Sequence, residues 1–192
     1  MPTPPTGPHK SFGFKTEREV LDYVSNPANG IEFIRVIFPD ILGRQMDFSF
    51  PSSELEKAFS EGKGFDGSSI QGFVRIEESD LVIKPEARSL RVLPWEYKGF
   101  AEDMRWREAV MFGDILTPEG DVFPGDSRAV LKRTLARAKK EFGFDDFKVG
   151  PELEFFLFSS DRDTHFSDEG GYFFSGRHGE IRKEIQLLLK KM

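Results

Sequence analysis

The chain has 192 residues, 27 basic and 33 acidic side chains and a net charge of −6, which leaves room for one or two domains and not three. That acidic balance argues against nucleic acid or an anionic membrane as the main partner, and the lack of cysteine excludes disulfide frameworks, thiolate metal sites and cysteine nucleophiles. Hydrophobic residues make up 38% and include 21 Phe, rings without a polar handle that belong in packed interiors.

The opening MPTPPTGPHK carries four Pro and one Gly, which predicts a mobile arm over residues 1–15. Thr16 and Glu19 have capping-box spacing ahead of Val20, Leu21 and Val24, so a short helix starts there. Asn26-Pro27 and Asn29-Gly30 end it. Residues 31–38, IEFIRVIF, form a nearly continuous apolar run of strand length, as a central strand requires. After a turn at Pro39-Asp40, Met46, Phe48 and Phe50 alternate with Gln45, Asp47 and Ser49, so the pair reads as a β-hairpin with one wet face. Ser53 and Glu56 repeat the capping-box spacing before a short helix with Leu55, Ala58 and Phe59 inside. The glycine-rich stretch GKGFDGSSIQG, 62–72, reads as an exposed loop. Further strands are predicted at 80–84, 90–95 and 109–116, making residues 16–118 a small α+β domain.

Turns at Thr117–Gly120 and Phe123–Asp126 separate this domain from a helix beginning near Ser127. Its apolar face comprises Val130, Leu131, Thr134, Leu135 and Ala138. A strand at 147–158, a polar loop at 159–171 and a helix from about Gly179 follow. The last helix carries Ile181, Ile185, Leu188 and Met192 on one stripe that runs to the chain end without a glycine cap. Residues 119–192 are therefore expected to be the beginning of a larger domain.

The stretch GPELEFFLF is the richest in chemistry. On a strand, Glu152 and Glu154 share one face at roughly 6.5–7 Å, and two buried carboxylates beside phenylalanines need cations to neutralise them. Oxygen-only donors suit Mg²⁺ or Mn²⁺. An edge strand with both glutamates in solvent fits the same spacing. Asp66 lies between glycines that permit close backbone approach to a ligand, although on composition alone an ordinary surface loop is the better reading, and the P-loop pattern is absent. Arg75, Glu77, Glu78 and Asp80 form a charge cluster of the kind usually solvated. His9, His165 and His178 are too scattered for a metal motif.

Taken together, FDGSSIQGFVRIEESD, then GPELEFFLF, then GGYF resemble the N-terminal half of a glutamine synthetase, most closely the type I enzymes of Gram-positive bacteria and archaea. The resemblance runs in order from about residue 16 to 192. It implies a β-grasp-like N-terminal domain followed by the start of a catalytic α/β domain, and a homo-oligomer of twelve subunits in two hexameric rings with active sites shared between neighbours. It also implies ATP-dependent ligation of ammonia to glutamate through γ-glutamyl phosphate, with Mg²⁺ (or Mn²⁺) as cofactor and ATP, glutamate and ammonium as partners. By the same resemblance Glu152 binds the metal serving the nucleotide phosphates and Glu154 the metal nearer glutamate. Asp66 sits on a latch reaching into the neighbouring subunit's site, where it binds and deprotonates ammonium. Gly150 lies against the nucleotide, and Arg75 matches an arginine tied to glutamine feedback.

Two departures stand out. The family's D-L-A-P after GGYF is replaced by Phe174-Ser175-Gly176-Arg177, and the H-H-E and N-G-S-G-M-H segments and the substrate-holding arginines do not occur within the 192 residues. This N-terminal portion is therefore expected to be inactive alone. A glutamate–amine ligase of the same superfamily, or a non-catalytic regulatory or assembly protein, are the alternatives. Asp66 favours ammonia over an amine. With no apolar run near the roughly 18–20 residues of a membrane span and no signal-peptide pattern, the expected location is the cytoplasm.

Overall fold

A computed structural model describes residues 13–70, 79–165 and 179–192. These fall into two compact units, one up to Asp145 together with Met192 and one from Asp146 to Lys191.

The first unit opens with α1 (Glu17–Val24). The Thr16 hydroxyl accepts from the Glu19 N–H at 3.2 Å, and the Glu19 carboxylate accepts from the N–H groups of Lys15 and Thr16 at 2.7 and 3.1 Å. The predicted capping box is thus formed. Those two backbone donors hold the Glu19 carboxyl below its ordinary pKa.

Strands β1 (Ile31–Pro39) and β2 (Gln45–Pro51) make the predicted hairpin. Its turn is organised by the enclosed Asp40, which accepts from the N–H groups of Leu42 and Arg44 at 2.9 and 2.8 Å and from Arg44 Nε at 2.7 Å. Enclosure alone would raise the Asp40 pKa; the Arg44 N–H and guanidinium and the Leu42 N–H outweigh it and hold the carboxyl low. Helix α2 (Leu55–Glu61) follows a 3-10 turn at Ser52–Glu54. Its inner residues Leu55, Ala58 and Phe59 are buried as expected, whereas no side chain caps either segment. The Ser53–Glu56 spacing is therefore not used as a box, because the 3-10 turn shifts the helix start past Ser53.

The stretch read as a loop begins instead as a strand. β3 (Lys63–Asp66) pairs antiparallel with β4 (Asp80–Pro85). Alternating glycines hid it, since glycine has low strand propensity. β5 is only Arg91–Val92, shorter than the run 90–95 suggests, and a two-residue β6 (Tyr97–Lys98) was not predicted. β7 (Arg105–Leu116) begins four residues before the expected strand.

β7 is the spine. One edge runs parallel to β1, and along the other edge β6, β5 and β4 pair antiparallel in turn. The sheet order is β2-β1-β7-β4-β3. Ile34, Val36, Phe38, Ile83, Met111 and Ile115 are buried with Val20, Leu55 and Leu90 in one core, so the architecture is α+β. At its centre Gly113 leaves no room for a methyl group: a Cβ there would meet Ile83 Cγ1 at 2.3 Å and Val36 Cγ1 at 2.8 Å. Overpacking of this kind costs about 1–3 kcal/mol. Gly113→Ala is expected to lower the urea midpoint accordingly; in a cycle with Ile83→Ala, which clears the clash but loses burial of its own, the double variant should lose less than the sum of the two single losses, and strictly additive effects would refute the packing argument.

Helix α3 (Ser127–Phe142) starts at the predicted residue and ends on Gly143 at φ 73°. Its stripe does not face a core: Ala129 is its buried residue, while Val130, Leu131 and Leu135 are exposed.

In the second unit, α4 (Gly179–Lys191) forms where predicted. The strand expected at 147–158 does not: residues 143–157 have no regular structure. Strand geometry is held by a neighbour's ladder rather than by the strand's own sequence, and here it is reduced to a single bridge residue, Phe158. Among them, too, no helix is long and apolar enough to cross a membrane.

Candidate functional site

Asp66 is the residue whose surroundings the fold defines best. It closes β3, and the N–H of the next residue, Gly67, donates to the Ser79 carbonyl at 2.7 Å across the β3–β4 pair. The chain then turns through a 3-10 segment, Gly67–Ser69, seated by buried Gly67 and Ile70. Asp66 Oδ1 accepts from the Ser68 N–H at 2.9 Å and the Ser68 hydroxyl at 2.6 Å. These bonds, the hydroxyl's first, hold the Asp66 carboxyl below its ordinary pKa. The result is an exposed, oriented carboxylate, ionised at neutral pH.

Directly across the ladder stands Asp80, in register with Asp66. Opposed like charges weaken a strand pair and raise the negative potential at its end. The sequence shows Asp80 only as part of a charge cluster; the strand pairing that places it opposite Asp66 has no local signature, because β3 is masked by glycine. Arg75, Glu77 and Glu78 of that cluster lie outside the described residues, as do His9, His178 and the GGYF segment.

Gly150, Glu152 and Glu154 lie in the second unit on the irregular segment. Both glutamates are exposed, and a Cβ on Gly150 would meet nothing within 4 Å. Among the described residues no three His, Asp or Glu gather as a metal site. Glu152 and Glu154 thus offer the oxygen donors that Mg²⁺ or Mn²⁺ takes, without completing a coordination shell. The spacing leaves two readings open; in the structure both glutamates stand in solvent, and Leu153, Phe155 and Phe156 are exposed as well. His165 is a surface residue, its Nδ1 2.6 Å from Asp163 Oδ1.

Comparison with known proteins bears on both units. The family model for the glutamine synthetase β-grasp domain matches residues 30–118, and that for the glutamine synthetase catalytic domain matches residues 124–187. A glutamine synthetase of Halobacterium salinarum is 44% identical over 183 residues, covering 92% of this chain and 38% of the relative. One from Methanosarcina mazei is 41% identical over 184 residues, covering 92% and 39%. The chain therefore spans about two fifths of the length of these curated relatives. In fold it is similar to a Plasmodium falciparum glutamine synthetase determined by cryo-electron microscopy, with a TM-score of 0.57 and 24% identity over 69% of this chain and 24% of that one.

Proposed function

Because the chain belongs to the glutamine synthetase family, we propose that it forms the N-terminal part of an ATP-dependent glutamate–ammonia ligase. The observation that carries this reading is the match to both family domains, in order, across most of the chain. In the proposed reaction the γ-carboxylate of glutamate takes the terminal phosphoryl group of ATP, and ammonia then displaces phosphate to give glutamine. Divalent ions would neutralise the charge on the transferring phosphoryl group, with Glu152 and Glu154 among their ligands and residues beyond the described ones completing the shells. Gly150, whose Cβ position is open, would let a nucleotide approach the backbone.

The chemistry assigned to this chain's own described residues centres on Asp66. An exposed carboxylate kept ionised by Ser68 attracts ammonium and can accept its proton, and Asp80 opposite strengthens the field. The carboxylate would serve the active site of a neighbouring subunit in a homo-oligomer, twelve subunits in the family's arrangement. A glutamine-feedback role for Arg75 and a cytoplasmic location belong to the same proposal.

Asp66→Asn in the complete protein tests it. The amide keeps the shape but neither attracts a cation nor takes a proton, so kcat/KM for ammonium should fall about 100-fold or more, with KM for ATP unchanged. An unchanged kcat/KM, or a preference for an organic amine over ammonium in the unmodified protein, would overturn the assignment. Ser68→Ala is a finer probe. Because Ser68 lowers the Asp66 pKa, its removal lets that pKa rise toward the ordinary carboxylate range. The acid limb of the pH–rate profile should then move to higher pH, while the rate at pH 7, where Asp66 is ionised in both forms, stays the same.

A further inference from the structure

Helix α3 is attached to the sheet in an unusual way. Its larger apolar residues Val130, Leu131 and Leu135 are exposed, and Ala129 is its buried residue. A helix normally docks by burying an apolar stripe; here charged side chains reach the sheet. Arg128 Nε donates to Asp114 Oδ1 at 3.0 Å, and Arg128 Nη2 donates to the Glu86 carboxylate. Lys132 Nζ donates to Asp114 Oδ2 at 2.5 Å and lies 4.0 Å from Glu86. The Arg128 guanidinium also lies 5.3 Å from the centre of the Phe112 ring. One turn earlier, the fully buried Asp126 caps the helix by accepting from the Arg128 N–H and takes the Ile115 N–H of β7 on its other oxygen.

We propose that α3 is held to the sheet by an electrostatic clamp, Asp114 and Glu86 gripping Arg128 and Lys132, which can open and free the helix while the sheet stays folded. The clamp pairs are only partly enclosed: Arg128 is 19% exposed and Asp114 30%, so salt reaches them. Acid reaches them too. Burial would raise the Asp114 pKa, but its bonds from Lys132 and Arg128 outweigh that and lower it. Asp114's share of the clamp is therefore lost only as pH falls through its depressed value. The charges facing Asp114 are Lys84, in register on β4, Glu86, and Arg128 and Lys132 of α3. Once released, a 16-residue helix is near the length at which isolated helices are marginal in water, so opening and melting of α3 coincide.

Hydrogen exchange on the 192-residue chain, followed by mass spectrometry, tests this. In the double variant Asp114→Asn with Glu86→Gln, amides of α3 should exchange at least about tenfold faster, while those of β1 keep their protection. Raising NaCl from 0.05 to 1 M on the unmodified chain should accelerate α3 in the same selective way. Unchanged α3 protection would overturn the clamp. Equal acceleration of α3 and β1 would also overturn it, by showing that the helix belongs to the sheet's cooperative unit. If the double variant does not fold, the salt series decides by the same criterion.

Discussion

Glu154→Gln in the complete protein is expected to lower ATP-dependent glutamine formation at least about a thousandfold. The substitution keeps the side chain's size and removes one negative charge from the pair Glu152 and Glu154. Charge stabilisation of a transferring phosphoryl group by a divalent cation is worth several kcal/mol, and each 1.36 kcal/mol is tenfold in rate. The position is informative because the side chain is exposed on an irregular segment. No packing is lost with it in the described structure, so thermal unfolding of the 192-residue chain should be unchanged within about 0.5 kcal/mol. A variant that turns over normally sinks the assignment, and one that loses activity together with stability would point to a structural role instead.

The second large effect belongs to Glu108, which lies on β7 facing away from the main core and is nevertheless buried. Its Oε2 accepts from Arg35 Nη2 at 2.5 Å and from the Tyr97 hydroxyl at 3.3 Å, and its Oε1 from the Ser49 hydroxyl at 2.6 Å. One carboxylate thus ties together β1, β2, β6 and β7. The hydrogen bond to Glu108 is the main reason the Arg35 pKa is raised. Removing one partner of a buried pair costs about 3–5 kcal/mol; Arg35 is one-third exposed, so solvent screening brings the expectation for Glu108→Ala to about 2–4 kcal/mol. Glu108→Gln, which keeps an acceptor, should cost less, and Glu108→Leu combined with Arg35→Met should recover much of the loss. Urea unfolding reads all three. A Glu108→Ala variant as stable as the parent would show the network to be energetically idle.

Legibility from sequence followed how local each signal was. The α1 capping box and the β1–β2 hairpin were legible because their patterns, T-x-x-E and period-2 alternation, are completed within a few residues. β3 was missed because Gly62 and Gly64 flank Lys63, and its strand character comes from β4, fourteen or more residues away in register. The reverse error occurred at 147–158. An alternating, phenylalanine-rich run has strand propensity, but residues 147–157 stay irregular and only Phe158 reaches a bridge. α3 was read correctly as a helix with one apolar face; that face is exposed in the described structure, and Arg128 and Lys132 on the polar side make the ion pairs to the sheet, which the sequence pattern alone does not show. As for the site, the sequence singles out Asp66, Glu152 and Glu154, and the structure adds Ser68 and Asp80 around the first. Asp80 could not be weighted beforehand because its meaning depends on the β3–β4 register, whereas Ser68 acts through a local bond two residues from Asp66.

The arrangement of β7 also bears on how the chain is made. β1 and β2 close on each other over a turn of a few residues, yet the inner edge of β1 waits for residues 107–112, more than fifty positions after the end of β2 at Pro51. At the usual pace of a ribosome, about 5–20 residues per second, that hairpin spends several seconds with an open, apolar edge, the kind of edge that recruits other chains. Until β7 emerges it is a half-built sheet in need of a chaperone or an empty neighbourhood, and slow codons between positions 51 and 105 would prolong the exposure.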